Sequence, residues 1–197
     1  WLRTVQEALD RPLTSYYLGG PTDIRPQMTE CVANCRRYGG DWELGVALMY
    51  RAHVTVDSPG NLRGVDEDLA ELRTLSRHVG DRWMRAQVCS AAGEAAMTRG
   101  RYDEARGEYE EALRLAYEVG AHAESPFLMA RLAEISYRSG DREAALAALD
   151  EAGAAADRYA VTIPSHGPGQ TSFTRRVPAS VPSVAQSSRP WSYVHAP

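Results

Sequence analysis

Cys31 and Cys35 stand four residues apart in "ECVANCRR", the spacing that sets two thiolates on one face of a helix where a soft metal could be held. A closed site of that kind takes four ligands, and no nearby His or Cys completes the set. The pair therefore reads as one partly buried helix face, and Cys89 as a small hydrophobe in a core slot. The histidines, His53, His78, His122, His166 and His195, show neither an H-E-x-x-H spacing nor a nucleophile motif. Carboxylates crowd the stretch "GRYDEARGEYEEALRLA", at Glu108, Glu110 and Glu111. Their setting is an exposed helix face, with Arg106, Glu110 and Arg114 spaced for i,i+4 ion pairs. Acid–base work would need a pocket around such carboxylates. The expectation is a chain with no catalytic residue, no metal and no cofactor.

Composition narrows the classes further. The 197 residues suffice for one domain or a short repeat array, and 44% hydrophobic with 24% charged residues is ordinary for a soluble globular protein. All 22 basic residues are arginine, which removes a phosphate-loop lysine and Schiff-base chemistry. A net charge of -4 argues against a nucleic-acid surface. No run approaches the ~18 apolar residues of a membrane helix, and three cysteines do not make a disulfide framework, so a cytoplasmic location without membrane attachment is expected. Trp1 in place of methionine points to a fragment of a longer polypeptide.

The elements that must position any functional side chain are set by a repeat. Glycine falls at twenty-residue intervals, at Gly20, Gly40, Gly60, Gly80, Gly100, Gly120 and Gly140. Glycine just past a helix is its natural stop, because it accepts the left-handed conformation that ends the turn. Asp41, Asp81 and Asp141 follow such glycines, where their carboxylates can cap the next helix. Apolar or small residues recur in the same register: Val65, Ala105 and Ala145; Leu69, Tyr109 and Leu149; Leu72, Ala112 and Ala152. Their spacings of three and four define one helical face. An all-α array of about three helix pairs follows, in units 41–80, 81–120 and 121–160.

The central unit carries a family pattern. Cys89, Ala92, Gly93 and Ala96 stand at the spacing W-x-x-L-G-x-x-Y, and Ala105 and Tyr109 supply the A-x-x-x-F part. The unit resembles a tetratricopeptide repeat, which implies a right-handed α-α superhelix. Small Gly93 and Ala105 would let the two helices of the unit approach, with Tyr109 filling the space beside them. His53 occupies the slot of Gly93 and Ala133 and should loosen the first unit. The units exceed the usual ~34 residues, so each helix should be longer by a turn or less. The stretch from Gly80 to Gly120 is further similar to the repeat region of large actinobacterial transcriptional regulators, of the Streptomyces antibiotic regulatory protein (SARP) type and the large LuxR type, a resemblance that covers roughly Asp41 to Tyr159.

The ends behave differently. In residues 1–40, Pro12, Pro21 and Pro26 should break any long helix, leaving short helices near 1–10 and 27–37 as a degenerate cap or partial repeat. Residues 161–197 hold six prolines, many serines and no acidic residue. Their charge is +3 against -7 for the rest, and they read as a disordered tail or as a frameshifted end.

The family resemblance places a partner-binding groove on the first helix of each unit. Its slots are Tyr50 and Val54, then Ser90, Glu94 and Met97, then Ala130, Glu134 and Tyr137. Without lysine this wall does not suit an acidic peptide terminus, and Glu94 with Glu134 should favour a basic or polar partner. The implied function is a non-enzymatic interaction and sensor module that binds a protein, a peptide or neighbouring domains of its own polypeptide. A free-standing structural adaptor is the alternative.

Overall fold

The computed structural model describes residues 24–58 and 62–160. The expected helix near 1–10 and the tail 161–197 lie outside them. Seven α-helices follow one another: α1 Arg25–Tyr38, α2 Asp41–Val56, α3 Val65–His78, α4 Arg82–Thr98, α5 Tyr102–Glu118, α6 Ser125–Arg138 and α7 Arg142–Ala160. No strand interrupts them among the described residues, which are all-α as expected. Consecutive helices pack on one another, most intimately α4 on α5 and α6 on α7. Pro26 does not break α1. It sits in its first turn, where the fixed φ suits a helix start and the missing N–H has no partner to lose.

The glycine register appears as four copies of one turn. Gly80, Gly100, Gly120 and Gly140 have φ of 71, 72, 75 and 89°. In each copy the residue after the glycine donates its N–H to the carbonyl five residues back: Asp81 to Ser76, Arg101 to Ala96, Ala121 to Ala116 and Asp141 to Ser136. These bonds satisfy carbonyls that the helix end leaves open. Asp81 and Asp141 then cap the helices that follow, accepting from the Met84 and Ala144 amides at 2.9 and 3.0 Å.

Two expectations fail at the ends of this register. Gly40 is extended, at φ -98°, and Asp41 is the first helical residue instead of the cap. The Gly39–Gly40 pair leaves α1 without a left-handed residue, and Glu43 reaches back to accept from the Gly40 amide at 3.1 Å. The third pair starts late as well. A 3-10 turn at His122–Glu124 precedes α6, and Pro126 fixes the helix start beside Ser125.

Helix α4 belongs to two cores. Met84, Val88, Ala91 and Ala95 join a cluster with α1, α2 and α3, including Met28, Val32, Leu48 and Leu72. Ala86, Cys89 and Ala96 join a second cluster with Tyr109, Leu115, Leu128 and Ile135. A helix buried on several sides needs small residues, and nearly half of α4 is Ala, Ser, Cys or Gly. Cys31 and Cys35 go beyond partial burial. Each is 2% exposed within the first core, and burial pushes the Cys31 thiol up to about 12.

Tyr109 seats on Gly93. A Cβ at Gly93 would lie 2.5 Å from the Tyr109 ring, whereas one at Gly107, on the exposed side of α5, meets nothing within 4 Å. Gly93→Ala should therefore lower stability, because the overlap of about 2 kcal/mol outweighs a helix-propensity gain of ~1 kcal/mol. Gly107→Ala takes that gain alone and should raise stability by up to ~1 kcal/mol. Thermal unfolding of the two variants checks the opposite signs.

Candidate functional site

The first helices of the pairs, α2, α4 and α6, are joined by indole donors. Trp42 on α2 donates to Asp81 Oδ2 at 3.1 Å, so this one carboxylate both caps α4 and holds α2. Trp83, in the same place on α4, donates to Glu124 Oε1 at 2.8 Å, and Gln87 donates to its other oxygen at 2.6 Å. Burial raises the pKa of Glu124 against these two bonds.

Farther along, a charged seam crosses from α4 to α6. Glu94 Oε1 accepts from the Tyr109 hydroxyl at 2.8 Å, and Arg131 donates to Glu94 Oε2 at 2.9 Å. Arg131 also donates to Glu134 at 2.8 Å, and Arg138 donates to Glu134 at 2.7 Å. Glu94, Arg131 and Glu134 side chains are 12%, 21% and 14% exposed. The Arg131 guanidinium lies 5.3 Å from the centre of the Phe127 ring, which suits a weakly hydrated planar cation. Burial raises the Glu94 pKa although Arg131 and Tyr109 oppose it. Ion pairs of this kind add little net stability, but removing one partner is costly.

The structure separates the eight expected groove residues. Val54 and Ser90 are buried, at 4% and 7% exposure. Tyr50 packs against the first core and Met97 against the second. Ala130 is half-buried. Glu94 and Glu134 are brought together, through Arg131. Tyr137 alone is well exposed, at 55%. The cation expected from a partner thus comes from within the chain.

Sequence reasoning missed Arg131, whose visible signal was its place three residues before Glu134, and it missed the hydroxyl role of Tyr109. The ion pairs on α5 also differ from expectation. Arg114 binds Glu111 and Glu118 in place of Glu110, and Arg106 reaches Ser136 on α6. The first pair is looser than the other two, α2 packing on α3 less intimately than α4 on α5 or α6 on α7, and His53 points elsewhere. It lies beside Gln87 and Glu94 of α4, its Nε2 is buried without a hydrogen bond, and burial lowers its pKa.

Among the described residues no group of three His, Cys, Asp or Glu side chains is placed to hold a metal, and no helix is long and apolar enough to cross a membrane. Comparison with protein-family models, curated proteins and solved structures gives no match.

Arg131→Met would leave Glu94 buried without its cation, at a cost of ~3 kcal/mol near pH 7.5. The Glu94 pKa, already above its ordinary value, rises further in this variant. Ionisation in the fold then costs free energy above that pKa, and protonation removes the cost below it. The deficit relative to the parent chain should shrink as pH falls toward 5. Urea unfolding of both proteins across that range checks the sign.

Proposed function

We propose that the chain is a tetratricopeptide-like stack, wound as a right-handed superhelix, that serves as a docking and regulatory (sensor) module. Its setting would be the repeat region of an actinobacterial transcriptional regulator of the SARP or large LuxR type. The observation that carries this reading is the bare outer face of α7.

Tyr109 and Ala116 on α5 are 0% exposed, and Tyr109 packs in one cluster with Leu128 and Ile135 of α6. The residues in the same register on α7 are Leu149, at 41% exposure, and Ala156, also exposed. Leu146 at 48% and Tyr137 at 55% lie on the same final pair. The register expects Leu149 to be buried. It is exposed because no described helix follows α7 as α6 follows α5.

Stacked repeats bury their faces on neighbours and need polar caps where they stop. An apolar face that no described helix covers suits a further helical segment, supplied by a neighbouring domain of the parent polypeptide or by a protein partner. Docking and release at this face would shift the regulator between two populations.

In the parent polypeptide, Leu146→Glu with Leu149→Glu should change promoter response or partner binding at least fivefold. The melting temperature of the 197-residue chain should stay within a few degrees of its starting value, since exposed positions tolerate charge. An unchanged response and unchanged binding would remove the reading.

A further inference from the structure

We infer that the cleft between α3, α4 and α5 binds a compact dianionic oxyanion, of the phosphate class. This surface is distinct from both the seam and the end of α7, and the inference stands apart from the docking reading. The cleft has a volume of about 130 Å³. Arg73 and Arg77 of α3 and Arg85 of α4 line it, Glu111 of α5 forms part of its wall, and Val88 and Leu115 belong to its floor. Arg85 lies on the opposite face of α4 from Glu94, since nine residues make two and a half turns.

The charges of this cleft are unbalanced. Arg73 pairs with Glu108 at 2.5 Å, and Glu111 is held by Arg114 at 2.6 and 2.7 Å. Arg77 spends its Nε on the Arg73 carbonyl at 3.0 Å, and no carboxylate among the described residues pairs with it. Arg85 is half-buried and has no ion pair among them; the carboxylate it acts on, Glu111, is the one Arg114 already holds by hydrogen bonds.

Two positive charges therefore remain, in positions that disfavour them. Arg73 and Arg77 are like charges four apart on one helix. Arg85 sits one turn into α4, past the end that Asp81 caps, and is half-buried without an ion pair of its own. A dianion between the two guanidiniums offsets both costs, and their planar forks match phosphate oxygens in pairs. The apolar floor can take the carbon of a phosphate ester.

The test titrates the full chain calorimetrically with inorganic phosphate, phenyl phosphate and acetate at constant ionic strength. At least one phosphate ligand should bind and raise the melting temperature, with acetate at least tenfold weaker. Tighter binding of phenyl phosphate identifies an ester as the ligand, and equal binding identifies free phosphate. Arg77→Gln with Arg85→Gln should lower phosphate affinity at least tenfold, with far-UV circular dichroism unchanged. Arg106→Gln, whose side chain bonds to Ser136 on α6, should bind like the parent chain. The inference is overturned if the parent chain shows no phosphate binding, if acetate binds equally well, or if the folded double variant binds as tightly as the parent.

Discussion

The fit of the Tyr109 ring against Gly93 holds the middle of this stack. The ring lies where a Cβ would stand, so α4 and α5 approach more closely than any other residue at position 93 would permit. The same side chain continues outward to Glu94, and Glu94 continues to Arg131 on the next pair. One tyrosine therefore sets the spacing within a pair through its ring and the position of the next pair through its hydroxyl. Its pKa is pushed far up by burial and by the neighbouring Glu94, which keeps it the donor of that bond at any ordinary pH.

Other contacts repeat the same arrangement at lower cost. Trp42 and Trp83 tie each first helix to a carboxylate at the start of the next one. Arg36 on α1 pairs with Glu71 on α3, and Arg73 on α3 pairs with Glu108 on α5. The first of these pairs is exposed and the second half-buried, and such pairs are worth little in stability individually. Their recurrence fixes rotation of one pair about the next, which apolar contacts alone leave loosely specified. Arg51 and Asp68 act within the first pair: Nε and one terminal nitrogen of the guanidinium donate side by side to the two carboxylate oxygens, at 2.7 and 2.5 Å. Asp68 is only 6% exposed, so this fork locks α2 on α3 where His53 replaces the small residue of later pairs.

What was legible in the sequence follows from how local each rule is. The glycine stops were legible because a left-handed residue is demanded by its own helix end. Gly93 and Ala105 were legible because close approach needs small residues at a fixed offset. Gly40 was misread because Gly39 beside it gives the chain a second way out of α1. The α6 start was misread because the extra residues before it enter a 3-10 turn, and α6 is shorter by three residues than α4. Arg131 was not legible as the partner of Glu94, because that contact depends on how far one pair rotates against the next. Leu149 obeys the register in sequence and departs from it in exposure, since burial at that slot comes from the following helix.

The same reasoning separates surface that is already used from surface that remains. A basic peptide arriving at the α4–α6 wall would have to displace Arg131 from Glu94 and Glu134. It would then supply, from water, a cation that the fold already holds in place on Phe127. That exchange has no evident gain, so the carboxylates of the wall select for the shape of the stack more than for a ligand. The wall could carry acidic groups at low exposure only because the chain brought its own arginine to them. Where no carboxylate among the described residues forms an ion pair, at Arg77 and Arg85, the balance runs the other way and an anion has something to gain. Where no described helix follows, at Leu146 and Leu149, the exposed surface is apolar. The unmet demands of this stack thus lie away from the groove in which its family resemblance would first place them.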